Sequence, residues 1–77
     1  MSKFPRLSGI TLVKILVKKF SFQVARQTGS HVVLHKFADD NEKIVTVVPL
    51  HRDVKPGTLS SILALAKISK DEFTGAL

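Results

Sequence analysis

The sequence contains no cysteine, which excludes disulfides and thiolate metal sites. It has no acidic residue before position 39. It also lacks an apolar run of membrane-spanning length: behind Lys3 and Arg6 the chain passes directly into an amphipathic pattern. Neither a secretory leader nor a membrane span is therefore expected, and the cytoplasm is the expected location. Internal repeats, low-complexity tracts and linkers are missing too. With 77 residues, a single domain over positions 1–77 is expected. Positions 1–7 read as a loose lead-in in which Pro5 blocks early helix. A hydrophobic content of 44% argues against wholesale disorder.

The missing acids make the charge lopsided. Positions 1–38 hold seven bases and no acid, while positions 39–77 hold five bases and all six acids, so the whole net charge of +6 arises in the first half. Concentrated positive charge attracts a polyanion, most often nucleic acid. Lysine and arginine used only for solubility is the plainer alternative.

What is present reads as α-β-β-β-α with a short extra helix. Ser8 can cap a helix over 9–20, where Ile10, Val13, Leu16, Val17 and Phe20 form the expected apolar stripe. Lys14 and Lys18 share the opposite flank with no acid in reach. Ile15 is expected near the polar side, available to another protein. Ser21 ends the helix. Strands are expected at Phe22 to Gln27, His31 to Ala38 and Lys43 to Val48, with turns at Thr28-Gly29-Ser30 and Asp39-Asp40-Asn41-Glu42. Pro49 is expected to stop the third strand. Pro56-Gly57-Thr58 prepares a second helix, with Thr58 or Gly57 at its cap and Leu59, Ile62, Leu63 and Ala66 on its buried face. Ser69-Lys70-Asp71-Glu72 fits a capping box, and Ile68 with Phe73 a hydrophobic staple. The fold class expected is α+β: a three-stranded antiparallel meander with helices on one face.

Candidates for chemistry are few. His31 and His35 share one strand face but stand about 13 Å apart, too far to hold one metal ion together. His51 can approach from the end of the third strand. The acids at 39–42 are read first as a hairpin turn rather than a cation site. Ser30 and His31 are adjacent on a strand and point to opposite faces, which makes a poor nucleophilic dyad. What remains is a histidine in an electropositive setting. Such a group can move a proton at neutral pH, taking it from the 2′-hydroxyl of RNA or giving it to the leaving oxygen, while lysine and arginine stabilise the charged phosphorane. No metal or cofactor is needed for that route. A polar strand residue that merely makes a hydrogen bond is the competing reading of the same histidine.

Several segments together carry a resemblance: Lys18-Lys19-Phe20-Ser21-Phe22, Arg26-Gln27-Thr28-Gly29-Ser30-His31, Val47-Val48-Pro49-Leu50-His51, Pro56-Gly57-Thr58-Leu59 with Ile62-Leu63, and Ile68-Ser69-Lys70-Asp71-Glu72-Phe73. From Ser8 to Phe73 the chain resembles the HicA (YcfA-like) toxins. The resemblance implies a fold similar to the double-stranded-RNA-binding domain. It also implies an mRNA-cleaving toxin silenced by a HicB-like antitoxin that covers the catalytic face. His31, the histidine after Gly-Ser, is then the catalytic residue. Arg26, Gly29, Ser30, Lys14, Lys18 and Lys36 are the candidate RNA contacts, Arg26, Gly29 and Ser30 lying in the segment that ends on His31. A non-catalytic RNA-binding module of the same fold is the alternative, and a protein whose basic surface only binds an acidic partner is a third. Two departures stand out. Ser21 replaces the family's glycine, at little cost if its φ is not positive. Val32 replaces a polar or aromatic residue and is expected to point away from His31.

Overall fold

The computed structural model describes residues 6–77. Its elements are α1 (Gly9–Phe20), β1 (Gln23–Thr28), β2 (His31–Phe37), β3 (Lys43–Pro49), α2 (Pro56–Ala66) and α3 (Lys70–Gly75). The strands form one antiparallel sheet in the order β1-β2-β3. The expected α-β-β-β-α order, with the short extra helix, is what the chain adopts. The loose lead-in with Pro5 concerns positions that, up to residue 5, lie outside the described residues. Leu7 is tied down: its carbonyl accepts the Val54 N–H at 2.8 Å, in an isolated antiparallel bridge. Arg6 lies 3.3 Å from Asp53 in an exposed ion pair.

Ser8 caps α1 as expected, its hydroxyl accepting the Thr11 N–H at 3.1 Å. The buried face of α1 is rotated from the expected stripe. Gly9, Leu12 and Leu16 are buried, whereas Ile10 and Val17 are exposed. Ile15, expected outside, is half-buried and packs on the core. The stripe through Ile10 ignored Leu12, and Leu12 with Leu16 is the pair at i, i+4 that the core selects.

Ser21 ends α1 with φ 63, in the left-handed region, so the condition for a cheap glycine replacement fails. A side chain there costs about 1–2 kcal/mol, partly offset by the freedom that glycine adds to the unfolded chain. Ser21→Gly should therefore stabilise the protein by about 0.5–1 kcal/mol. Thermal melting that left the midpoint unchanged or lower would contradict this.

The sheet follows from sequence parity. Val32, Leu34, Ile44, Thr46 and Val48 face the helices and are buried. Thr46 is the one polar residue among them, and its hydroxyl donates to the Ile62 carbonyl of α2 at 2.9 Å. Pro49 does not stop β3 but belongs to it, paired with His31. The next pair is closed by the Leu50 N–H donating to the Ser30 carbonyl at 2.6 Å. His31 and Pro49 are thus a pair without ladder hydrogen bonds, and the proline lacks a donor only on the outer edge, where none is needed.

α2 starts two to three residues earlier than expected, so neither Gly57 nor Thr58 is its cap. Lys55 is its N-cap and Pro56 takes the first helical position, where its missing N–H is harmless. Leu59, Ile62, Leu63 and Ala66 are buried as expected. Lys67 ends the helix with φ 58 and lies 3.0 Å from Glu42. The capping box at Ser69 and Glu72 is present, and Ile68 and Phe73 are both buried. Its hydrogen bonds to the Ser69 backbone and hydroxyl hold the Glu72 carboxyl below its ordinary value. All three helices contribute to one core on one side of the sheet, centred on Leu12, Leu16, Leu34, Val48, Leu59 and Phe73.

Candidate functional site

The hairpin between β1 and β2 is built by Gly29 and Ser30, with Thr28 and His31 as the closing pair. Gly29 has φ +58, and Ser30 does not share the positive φ. That sign pattern is the type II′ hairpin turn, which calls for glycine at its first central position. Nothing lies near the Cβ that a side chain at position 29 would carry, so glycine is there for its backbone alone. The Gln27 side chain props the turn by donating to the Gly29 carbonyl at 3.1 Å. Ser30 contributes its carbonyl to the tie with Leu50 and leaves its hydroxyl exposed.

The turn sets His31 at the lip of the sheet, on the face opposite the helices. Its ring is exposed and has no hydrogen-bond or ion-pair partner among the described residues. Val32 points to the helix side and is buried, as expected for a residue turned away from His31. The register puts Thr28, Arg26 and Gln23 of β1 on the open face, opposite His31, Val33 and His35. Strict alternation from Gln23 would send Arg26 to the helix side. A bulge between Val24 and Arg26 corrects this, so Val24 faces the helices and Arg26 faces the open side. Arg26 makes no ion pair among the described residues.

The other expected cations are placed elsewhere. Lys36 faces the helices: its amine donates to the Phe20 carbonyl at 3.1 Å and stands 5.0 Å from the centre of the Phe22 ring. It closes the C-terminal end of α1 and is committed to the fold. Lys14 lines a cleft between α1 and β1 with Ile10, Val24 and Gln27, on the helix side. Lys18 is exposed on the last turn of the same helix. The structure therefore puts Gly29 and Ser30 next to His31, places Arg26 on the same face but opposite Val33, and leaves Lys14, Lys18 and Lys36 in the helix layer.

His35 lies on the open face, as its parity with His31 requires, and is half-buried. His51 follows Leu50 and so leaves the sheet at the same end as His31, its carbonyl accepting the Gly9 N–H at 2.8 Å. The acids at 39–42 form the turn expected of them: the Asp40 carboxylate accepts the Glu42 N–H, and Glu42 pairs with Lys67. Among the described residues no three His, Asp or Glu side chains come together at metal-binding spacing. No described helix is long and apolar enough to cross a membrane.

Two residues of this face escaped the reading of the sequence. Phe37 is exposed at the far end of β2, and Lys43 is its partner on β3. Parity with His31 was enough to find Phe37. Lys43 needed the register that the 38–42 turn sets.

Order and face define the class: a small α+β protein with a three-stranded sheet, helices on one side, and an open basic face with an exposed histidine at its lip. The chain belongs to the HicA toxin family. The family model described as the HicA toxin of bacterial toxin-antitoxin matches residues 11–68, well over half of the chain and the whole of the sheet. No curated protein and no solved structure matches the chain significantly. Membership makes the chain the toxin half of a toxin-antitoxin pair, with a cognate antitoxin as its partner.

Proposed function

We propose that this toxin is a metal-independent endoribonuclease acting on mRNA in the cytoplasm, with His31 as general acid or base. The observation that carries the reading is the placement of His31: exposed, without a side-chain partner among the described residues, and on the same face as Arg26, in a sheet whose strands contain no acid. In RNA the 2′-hydroxyl loses its proton and its oxygen attacks the adjacent phosphorus. The bond to the 5′-oxygen of the next nucleotide breaks, and that oxygen takes a proton. The products end in a 2′,3′-cyclic phosphate and a 5′-hydroxyl. His31 serves one of the two proton transfers and water the other. Arg26 supports the negative charge of the phosphorane. Gly29 and Ser30 hold the turn that aims His31, and the exposed Ser30 hydroxyl is within the same lip. Lys14 and Lys18 are left to meet more distant phosphates of a long RNA.

The element order agrees with the double-stranded-RNA-binding-domain-like fold implied by the family resemblance. A HicB-like antitoxin would silence the toxin by covering the open face, where His31 is freely accessible.

The test is incubation of the purified chain with RNA in the presence of EDTA. Cleavage with 2′,3′-cyclic phosphate ends is the expected result. RNA that is bound but stays intact would overturn the enzyme in favour of a non-catalytic RNA-binding module. Cleavage abolished by EDTA would overturn metal independence.

A further inference from the structure

The part of the open face remote from His31 has its own chemistry. Phe37 is 61% exposed there, and Val45, paired with the neighbouring His35, is 39% exposed. The His35 ring meets Phe37 edge-on, with centroids 5.9 Å apart and planes at 72°. Arg26, His35, Lys43 and Val45 line a shallow depression of about 360 Å³. Neither Arg26 nor Lys43 has an ion-pair or hydrogen-bond partner among the described residues. No acid occurs in any of the three strands. The His35 Nδ1 is buried without a partner among the described residues, so an N–H is better placed on Nε2.

We propose that this surface is a binding platform for single-stranded RNA, and that an unpaired base stacks on Phe37 while Lys43 holds a flanking phosphate. The inference rests on the nuclease reading for the identity of the nucleic acid, and it adds the strandedness of the substrate. Exposed aromatic rings on a sheet, interleaved with cations, are the usual way of gripping unpaired bases. A duplex offers such a ring nothing to stack on, because its bases already stack on one another and expose only edges and phosphates. Pairs 35–45 and 37–43 are those without ladder hydrogen bonds, where side chains of neighbouring strands approach most closely. The ring and the amine of Phe37 and Lys43 thus form one compact subsite. It lies six residues along β2 from His31, about 20 Å, so it grips a different nucleotide from the one that is cut. Such a subsite fixes which backbone position reaches His31 and sets a minimum substrate length.

The platform is tested by fluorescence anisotropy with a labelled 2′-O-methyl oligoribonucleotide, which has no free 2′-hydroxyl and cannot be cut by this route. The full chain is compared with Phe37→Ala and Lys43→Gln, both exposed positions whose replacement leaves the core intact. The single strand is expected to bind at least tenfold more tightly than the matching duplex. Phe37→Ala should weaken single-strand binding about tenfold or more, from the loss of one stacked base. Lys43→Gln should lower the slope of log affinity against log salt by about 0.7. Equal binding of duplex and single strand, or an unchanged affinity in Phe37→Ala, overturns the platform. That includes the case in which the face serves only the antitoxin. The two readings fail separately. Uncut RNA in EDTA with Phe37-dependent binding removes the nuclease and keeps the platform, while RNA cleavage with Phe37-independent binding does the reverse.

Discussion

Replacing His31 by alanine is expected to lower kcat/KM for RNA cleavage by about 10²–10⁴, the usual contribution of a positioned acid or base. Folding should be unaffected. The His31 side chain is exposed, has no hydrogen-bond partner among the described residues, and sits outside the core, so its truncation falls within the roughly ±0.5 kcal/mol typical of surface substitutions. The pairing of those two outcomes is the point of the experiment. Loss of cleavage with an unchanged melting temperature and an unchanged affinity for the uncleavable single strand assigns His31 to the chemical step. Equal cleavage and equal growth arrest in the two proteins would remove His31 from the reaction. A fall in cleavage matched by an equal fall in RNA affinity would make it a binding residue instead. His35→Ala serves as the contrast, since His35 stands on the same face but about 13 Å further along the strand, and its loss should touch binding before turnover.

Gly9→Ala is expected to destabilise the protein by about 3 kcal/mol, the upper end of the cost of overpacking a well-packed site. A Cβ at this position would fall onto the Pro49 carbonyl oxygen and against the Leu50 Cα. Both are backbone atoms, so no rotamer change relieves the clash. The same glycine donates its N–H to the His51 carbonyl at 2.8 Å, and opening the gap strains that bond as well. In a domain of this size the melting temperature should drop by roughly 12–24 °C. The sign makes the experiment sharp. Helix propensity alone says that alanine at a helical glycine stabilises by about 0.5–1 kcal/mol. Denaturant unfolding that showed Gly9→Ala to be more stable would mean that α1 does not press on the end of β3. Because Pro49 pairs with His31 and Leu50 bonds to Ser30, a shift of this contact also moves the lip that carries the histidine.

Much of the fold was legible in the residues because it is written in local rules. Ser8 and Ser69 mark helix starts through their hydroxyls, and both caps form. Gly29-Ser30 marks a two-residue hairpin, and parity from there puts His31, His35 and Phe37 on one face. The α2 stripe was correct because its apolar positions admit only one face. The α1 stripe was correct only in part: Leu16 is buried and Val13 and Phe20 pack on the core, but that helix is apolar over most of its circumference, and only packing against the sheet chose Leu12 over Ile10 and Val17. Local propensity also placed Pro49 one step outside β3, although the hydrogen-bond phase of an edge strand tolerates it.

The site divides in the same way. Residue types and their order by themselves determined the element sequence, the turn that presents His31, the acid-free basic half and the shared face of His31 with His35. Tertiary structure alone decided which cations join that face. Lys36 looked like a phosphate ligand and is spent on the Phe20 carbonyl and the Phe22 ring, because its even position turns it toward the helices. Arg26 shares the face of His31 only through a bulge, an extra residue that no alternation pattern announces. Lys43 reaches Phe37 only through the register set by the turn before it. The physical reason is common to all three. Periodicity fixes a side chain's direction within its own element, whereas its neighbours depend on register and bulges, which are settled by contacts between segments distant in the chain.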